Sequence, residues 1–174
     1  MTPTPPPSTK SETVGVLSDT HLSTCTPELL ALCEAHFADC DRILHAGDWV
    51  TYEVLRALED LWQVDAVRGN MDFDPDLRRL PQTRVVTVGG GQVGLCHGHG
   101  APGGIEARVV TAFGDAPPPV IVFGHSHAPT DTQYHGIRLI NPGSPTDRRW
   151  APFRSVGRLT VTDGQVDFEI IPLY

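Results

Sequence analysis

Short apolar runs punctuate this chain, and each gives way almost at once to Asp, Asn or His. The runs are Val14-Gly15-Val16-Leu17, Ile43-Leu44, Val64 to Val67, Val93-Gly94-Leu95-Cys96, and Val120 to Phe123. Their length reads as buried strands. Helical patterns separate the first three. Pro27-Glu28 opens a helix in which Leu29, Leu30, Leu32, Cys33 and Phe37 keep roughly helical spacing. Thr51 is placed to cap a second, striped by Val54, Leu55, Leu58 and Leu61. The order βαβαβ predicts parallel strands joined by crossover helices.

The second half changes character. Arg84 to Val88 and Val93 to Cys96, joined through Gly89-Gly90-Gly91-Gln92, predict an antiparallel hairpin. Ile105, Val109, Val110 and Phe113 mark one more helix. Beyond Phe123, Thr130–Tyr134, Arg138–Ile140 and Val156–Thr162 read as short strands. Asp163-Gly164 then makes a hairpin turn before Gln165–Ile171. A parallel first half followed by hairpins predicts an α/β fold of two packed mixed sheets flanked by helices. There is no internal repeat.

At 174 residues the chain suits one domain, placed at residues 13–174. Residues 1–12 read as a solvated tail, because four prolines among the first seven residues cannot start a packed element. That stretch lacks the apolar core of a secretory signal, and no run approaches the roughly 18 apolar residues of a membrane span. The four cysteines form no C-x-x-C pair and read as free thiols, so the expected compartment is the cytoplasm and no membrane partner is expected. A formal charge of −8, with Lys10 the only lysine, gives no strong signal for nucleic-acid binding. Homo-oligomerisation is left open.

Strands of an open α/β sheet deliver ligands from their carboxyl ends. Asp19 and His21, Asp48, Asn70 and Asp72, His97 and His99, and His125 and His127 all follow apolar runs and converge on one crevice if those runs are strands. Such Asp, Asn and His ligands suit divalent Mn, Fe, Ni or Zn. They read as a two-metal hydrolase. Only a carboxylate, with two anionic oxygens, can hold two cations about 3.5–4 Å apart.

The ordered motifs Asp19-Thr20-His21, Gly47-Asp48, Gly69-Asn70-Met71-Asp72, His97-Gly98-His99 and Gly124-His125-Ser126-His127 carry a resemblance. With Val67-Arg68-Gly69-Asn70 and Asn141-Pro142-Gly143-Ser144, they resemble the calcineurin-like metallophosphoesterase family over residues 13 to 174. The nearest branch is that of small single-domain phosphodiesterases, which includes the retromer small subunit. The resemblance implies a four-layer α-β-β-α sandwich. It also implies Asp19, His21 and His127 as ligands of one metal, Asn70, His97 and His125 as ligands of the second, and Asp48 as the bridge. The expected cofactors are two divalent ions, manganese first and Fe, Ni or Zn as alternatives. The expected reaction is in-line attack of a metal-bridging hydroxide on the phosphorus of a small phosphate ester, Asp48 and Asn70 serving catalysis. The alternative is a non-catalytic protein-binding scaffold like the retromer small subunit.

One departure stands out. Many family members carry His after the Gly-Asn pair to protonate the leaving oxygen, whereas Met71 cannot donate a proton. Loss of a general acid costs about 10²–10⁴-fold, so diesters and esters with acidic leaving groups are expected to react best. His99 is the candidate substitute acid. His36 and His135 read as surface residues, His45 as structural or supporting, Asp72 as a loop holder, and Asn141 to Ser144 as a turn with some duty toward the site. Arg68, Arg148 and Arg149 bind phosphate or sit in solvent. Gly89-x-Gly91-x-x-Gly94 and Gly98-x-Gly100-x-x-Gly103 match a dinucleotide fingerprint, but the first lies between strands and the second precedes a strand ending in His.

Overall fold

The computed structural model describes residues 10–100 and 104–174. Residues 1–9 of the expected tail, and Gly103 of the second glycine fingerprint, lie outside the described residues. β1 (Ser11–Leu17), β2 (Arg42–His45) and β3 (Gln63–Ala66) run parallel in one sheet, with crossover helices α1 (Pro27–Phe37) and α2 (Tyr52–Glu59). β1 thus takes in Ser11 and Glu12, the last two residues of the expected tail.

The second sheet holds β4 (Thr83–Val88), β5 (Gly91–Cys96), β6 (Val120–Val122), β8 (Ile137–Asn141) and β7 (Thr130–Tyr134), in that order. α3 (Ile105–Thr111) connects β5 to β6. The hairpin of β9 (Arg154–Thr162) and β10 (Gln165–Leu173) crosses back to the first sheet, where β9 lies antiparallel to β1. Both sheets are therefore mixed.

Strand alternation builds three apolar layers. Val14, Val16, Leu44, Val93, Val122 and Leu159 pack between the sheets, while Leu17, Ile43 and Val156 face α1 and α2 on one outer side. On the other, Ile121 and Leu139 pack against Val109 of α3. The result is the four-layer α-β-β-α sandwich. Gly15 is obligatory to it, because a Cβ there would lie 2.7 Å from the Phe37 ring of α1.

Two local features differ from the pattern reading. The β4–β5 ladder continues to Gly91, so the turn is only Gly89-Gly90, both at positive φ as a two-residue hairpin loop requires. Thr51 does sit at the N-cap of α2, but its hydroxyl donates to the carbonyls of Leu22 and Ser23. Asp74 Oδ2 instead accepts from Tyr52 N–H at 3.1 Å. A side chain from a later loop has taken over the cap.

Candidate metal centre

The loops after β1, β2, β5 and β6 meet at one end of the sandwich. Asp19, His21, Asp48, His125 and His127 all have φ between 45° and 69°, the left-handed region that non-glycine residues seldom occupy. Surrounding hydrogen bonds hold this strained backbone. Asp19 N–H donates to the Gly47 carbonyl at 2.9 Å and His21 N–H to the Asp48 carbonyl at 3.1 Å. His125 N–H reaches Asp19 Oδ2 at 2.9 Å. The turn from Asn141 to Ser144 does serve the site: Ser144 Oγ donates to the Asp19 carbonyl at 2.7 Å, and Asn141 Nδ2 donates to the Gly124 carbonyl at 3.0 Å.

The carboxylates of Asp19 and Asp48 are fully buried with His97 and His127. Asp19 Oδ1 lies 3.3 Å from His127 Nε2, 3.7 Å from His21 Nε2 and 3.9 Å from His97 Nε2. Asp48 Oδ2 lies 3.2 Å from His97 Nε2 and 3.5 Å from His21 Nε2. Two overlapping groups have ligand atoms within 4.8 Å of one another: Asp19, His21 and His127, and Asp19, Asp48 and His97. Asp19 belongs to both, and Asp48 touches a histidine of each.

The histidine tautomers show how these groups fit a cation. His97 Nδ1 donates to the Ala46 carbonyl at 2.9 Å, and His127 Nδ1 donates to the Asp147 carbonyl. In each neutral ring the proton is then committed to Nδ1, and Nε2 is a bare lone pair. His97 Nε2 has no hydrogen-bond partner despite its nearness to Asp48. His21 Nε2 and His127 Nε2 face each other at 3.1 Å. Imidazole nitrogens turned toward carboxylate oxygens and toward one another are held together by positive charge between them. A divalent metal suits that set.

Protons fill the same role when metal is lacking. Burial by itself raises the proton affinity of Asp19, but hydrogen bonding to His127 and His21 outweighs it and holds the carboxyl well below the usual carboxylate range. Burial likewise opposes ionisation of Asp48, and pairing with His97 plus the Met71 N–H bring it down. Burial lowers His97 and His127, yet the carboxylates win and both are raised. His125 and His99 are pulled down, by burial first and then by His97.

The remaining expected residues lie around this nucleus. His125 is half-buried, its ring 5.2 Å from that of His97. Asn70 is exposed, between Gly69, which packs on Asp48, and Met71, whose N–H donates to Asp48 Oδ1 at 2.8 Å. His99 is also exposed, its ring 5.7 Å from that of His97. Asp72 holds the loop by accepting from the N–H groups of Asp48, Trp49, Val50 and Gly69 at 2.7–3.1 Å. His45 is structural: Nδ1 accepts from Gly47 N–H, Nε2 meets Thr20 Oγ1, and the ring stacks on Trp49. Arg68 donates to the Arg78 carbonyl, and Arg149 to the carbonyl of His125.

Sequence reading missed Ser18, whose hydroxyl donates to Asp19 Oδ2 at 2.7 Å, and Thr146, whose hydroxyl donates to the Thr20 carbonyl at 2.7 Å. It also missed Asp147, which acts through its carbonyl. Position beside Asp19 was the available signal for Ser18. No side-chain pattern marks a backbone acceptor.

The model of the calcineurin-like phosphoesterase superfamily domain matches residues 13–164. The chain belongs to that family. It is 34% identical to a probable metallophosphoesterase of Methanocaldococcus jannaschii over 161 residues, covering 92% of this chain and 81% of the relative. Its fold is shared with a structure described as a novel archaeal phosphodiesterase, at TM-score 0.66 and 19% identity, covering 91% of this chain and 99% of that one. It is shared too with Vps29 of Entamoeba histolytica complexed with zinc, at TM-score 0.66 and 22% identity, covering 92% and 98% of the two chains. These last two likenesses concern fold alone. Membership of the family supports a phosphoesterase hydrolase at that level, and among the described residues no helix is long and apolar enough to cross a membrane.

Proposed function

We propose that this phosphoesterase is a phosphodiesterase working with two divalent cations, manganese first. The observation that carries the reading is the pair of buried carboxylates, Asp19 and Asp48, faced by imidazole nitrogens whose other ring nitrogens are committed to carbonyls. In this reading Asp19, His21 and His127 hold one cation, Asn70, His97 and His125 the other, and Asp48 both. When bound, such cations polarise phosphoryl oxygens and lower the pKa of water from 15.7 toward about 7.

The chain's own groups orient and move charge around that chemistry. Asn70, exposed at the crevice, offers a carbonyl toward a cation and an amide N–H toward a phosphoryl oxygen. The leaving oxygen has to find a proton without help from Met71. His99 is the available donor, but burial and His97 hold its proton affinity below that of a free imidazole. With Met71 in the acid position, leaving groups that need no proton are favoured, hence diesters with acidic alcohols over alkyl monoesters.

The test is hydrolysis of bis(p-nitrophenyl) phosphate by purified protein with Mn, Ni, Fe or Zn, and its loss on chelation. His99→Ala should slow alkyl esters more than aryl esters; equal, unchanged rates would remove His99 from the mechanism. No hydrolysis with any of these metals would favour the second reading, a protein-binding scaffold. The Vps29 fold likeness and Met71 in the acid position support that second reading.

A further inference from the structure

Among the described residues six large apolar side chains stand exposed: Leu61, Met71, Phe73, Val85, Trp150 and Tyr174. Three of them, Met71, Phe73 and Trp150, ride on two loops that are hydrogen-bonded to residues of the metal centre. On one side, Met71 N–H donates to Asp48 Oδ1 at 2.8 Å and Phe73 N–H donates to the Met71 carbonyl at 3.1 Å. On the other, the Asp147 carbonyl accepts from His127 Nδ1, and Arg149 Nη1 donates to the His125 carbonyl at 3.4 Å. Trp150 comes next in the chain and is wholly exposed, at 100%; Phe73 is 61% exposed.

An indole left entirely in water forgoes the burial that a side chain of its size ordinarily gains. Its placement beside the anchors of His125 and His127 therefore asks for a ligand. A guanidinium group accompanies the Phe73 ring. Arg78 Cζ lies 6.0 Å from the centre of the Phe73 ring, and Arg149 directly precedes Trp150. Flat π faces with cations nearby recognise a planar ring attached to a phosphate. The net charge of −8 disfavours a long polyanion and leaves a small diester.

We propose that Phe73 and Trp150 form an aromatic rim that binds a planar ring on the non-leaving arm of a phosphodiester, a nucleobase being the biological ring of that kind. The inference rests on the phosphodiesterase reading. It makes the two residues determinants of specificity, with no part in the bond-breaking itself.

Two substrates with one leaving group isolate the effect. Bis(p-nitrophenyl) phosphate and methyl p-nitrophenyl phosphate both release p-nitrophenolate and differ in the arm that stays. The ratio of their kcat/KM values should fall about tenfold in Trp150→Ala and in Phe73→Ala, and recover in Trp150→Phe. A second readout needs no turnover: AMP should quench the emission of Trp150 and ribose 5-phosphate should not, and the difference should vanish in Trp150→Phe. Unchanged ratios with equal quenching by the two ligands would overturn the rim. So would a Trp150→Ala variant that alters only the oligomeric state. If neither diester is hydrolysed with any metal, the phosphodiesterase reading fails, and the AMP titration then decides ring binding by itself.

Discussion

His97 and Asp48 meet as a buried pair whose nitrogen and oxygen lie 3.2 Å apart without a hydrogen bond, while the far side of the imidazole is tied to the Ala46 carbonyl. Replacing Asp48 with Asn keeps the volume and removes the charge that faces His97 and His21. On the two-cation reading, metal content should fall below two ions per chain, and diester hydrolysis should drop at least 100-fold, more than the 10–100-fold typical of losing a mere supporting partner. Elemental analysis alongside kinetics measures both. Full occupancy and full activity in Asp48→Asn would exclude the bridging role.

Asp72 is the organiser behind that pair. Its carboxylate is nearly buried and gathers N–H groups from the loops after β2 and β3. Asp72→Ala leaves those donors unpaired inside the protein and should cost about 3–5 kcal/mol of stability. Urea unfolding of the metal-free variant gives the value directly. A cost under about 1 kcal/mol would mean that water replaces the carboxylate without difficulty.

The apolar runs were legible because buried strands need continuous hydrophobic stretches, so five strands and the residues following them could be placed from composition alone. Which sheet the last hairpin joins was not legible. β9 pairs with β1 across nearly the whole chain, and nothing local in Arg154 to Leu173 names that partner. The same limit applies to the site. Asp19 and His127 could be named as residues, but the Asp147 carbonyl that fixes the His127 tautomer belongs to backbone every residue has. Asp74 displacing Thr51 at the cap of α2 is a tertiary substitution of one acceptor for another.

His45 gives the fold a pH dependence of definite sign. Burial pushes its imidazole down to about 3, and Nδ1 must stay unprotonated to accept from Gly47 N–H. The unfolded chain binds a proton near pH 6.5 while the folded chain does not. This contribution is fully present above pH 6.5 and is lost progressively as pH falls toward 3, at about 1 kcal/mol per pH unit. Asp19 and Asp48 act in the same direction, so the useful quantity is the difference between the parent and His45→Gln. Unfolding free energies of the two at pH 7 and pH 5 should converge by about 2 kcal/mol on acidification. Parallel curves would show that His45 is protonated in the folded protein.

Gly69 separates the metal centre from the rest of the fold more sharply than any ligand substitution. It has no positive φ, so alanine fits the backbone, but the added Cβ would lie 2.0 Å from Asp48 Oδ1 and 2.5 Å from Asp48 N. Both the Asp48 carboxylate and its backbone, which Asp72 holds, have to shift, and the carboxylate turns away from His97 and His21. Overpacking of this kind costs about 1–3 kcal/mol, which a domain of this size can absorb. Gly69→Ala should therefore fold and yet bind metal poorly. For the parent protein, metal at 100 times its Kd adds about 2.7 kcal/mol of stability and raises Tm accordingly. The variant should show little of that rise at the same metal concentration, with circular dichroism unchanged. A full metal-dependent rise in Tm would show that Asp48 can hold its cations from a displaced position, and the tight packing of Gly69 against it would then have no bearing on the site.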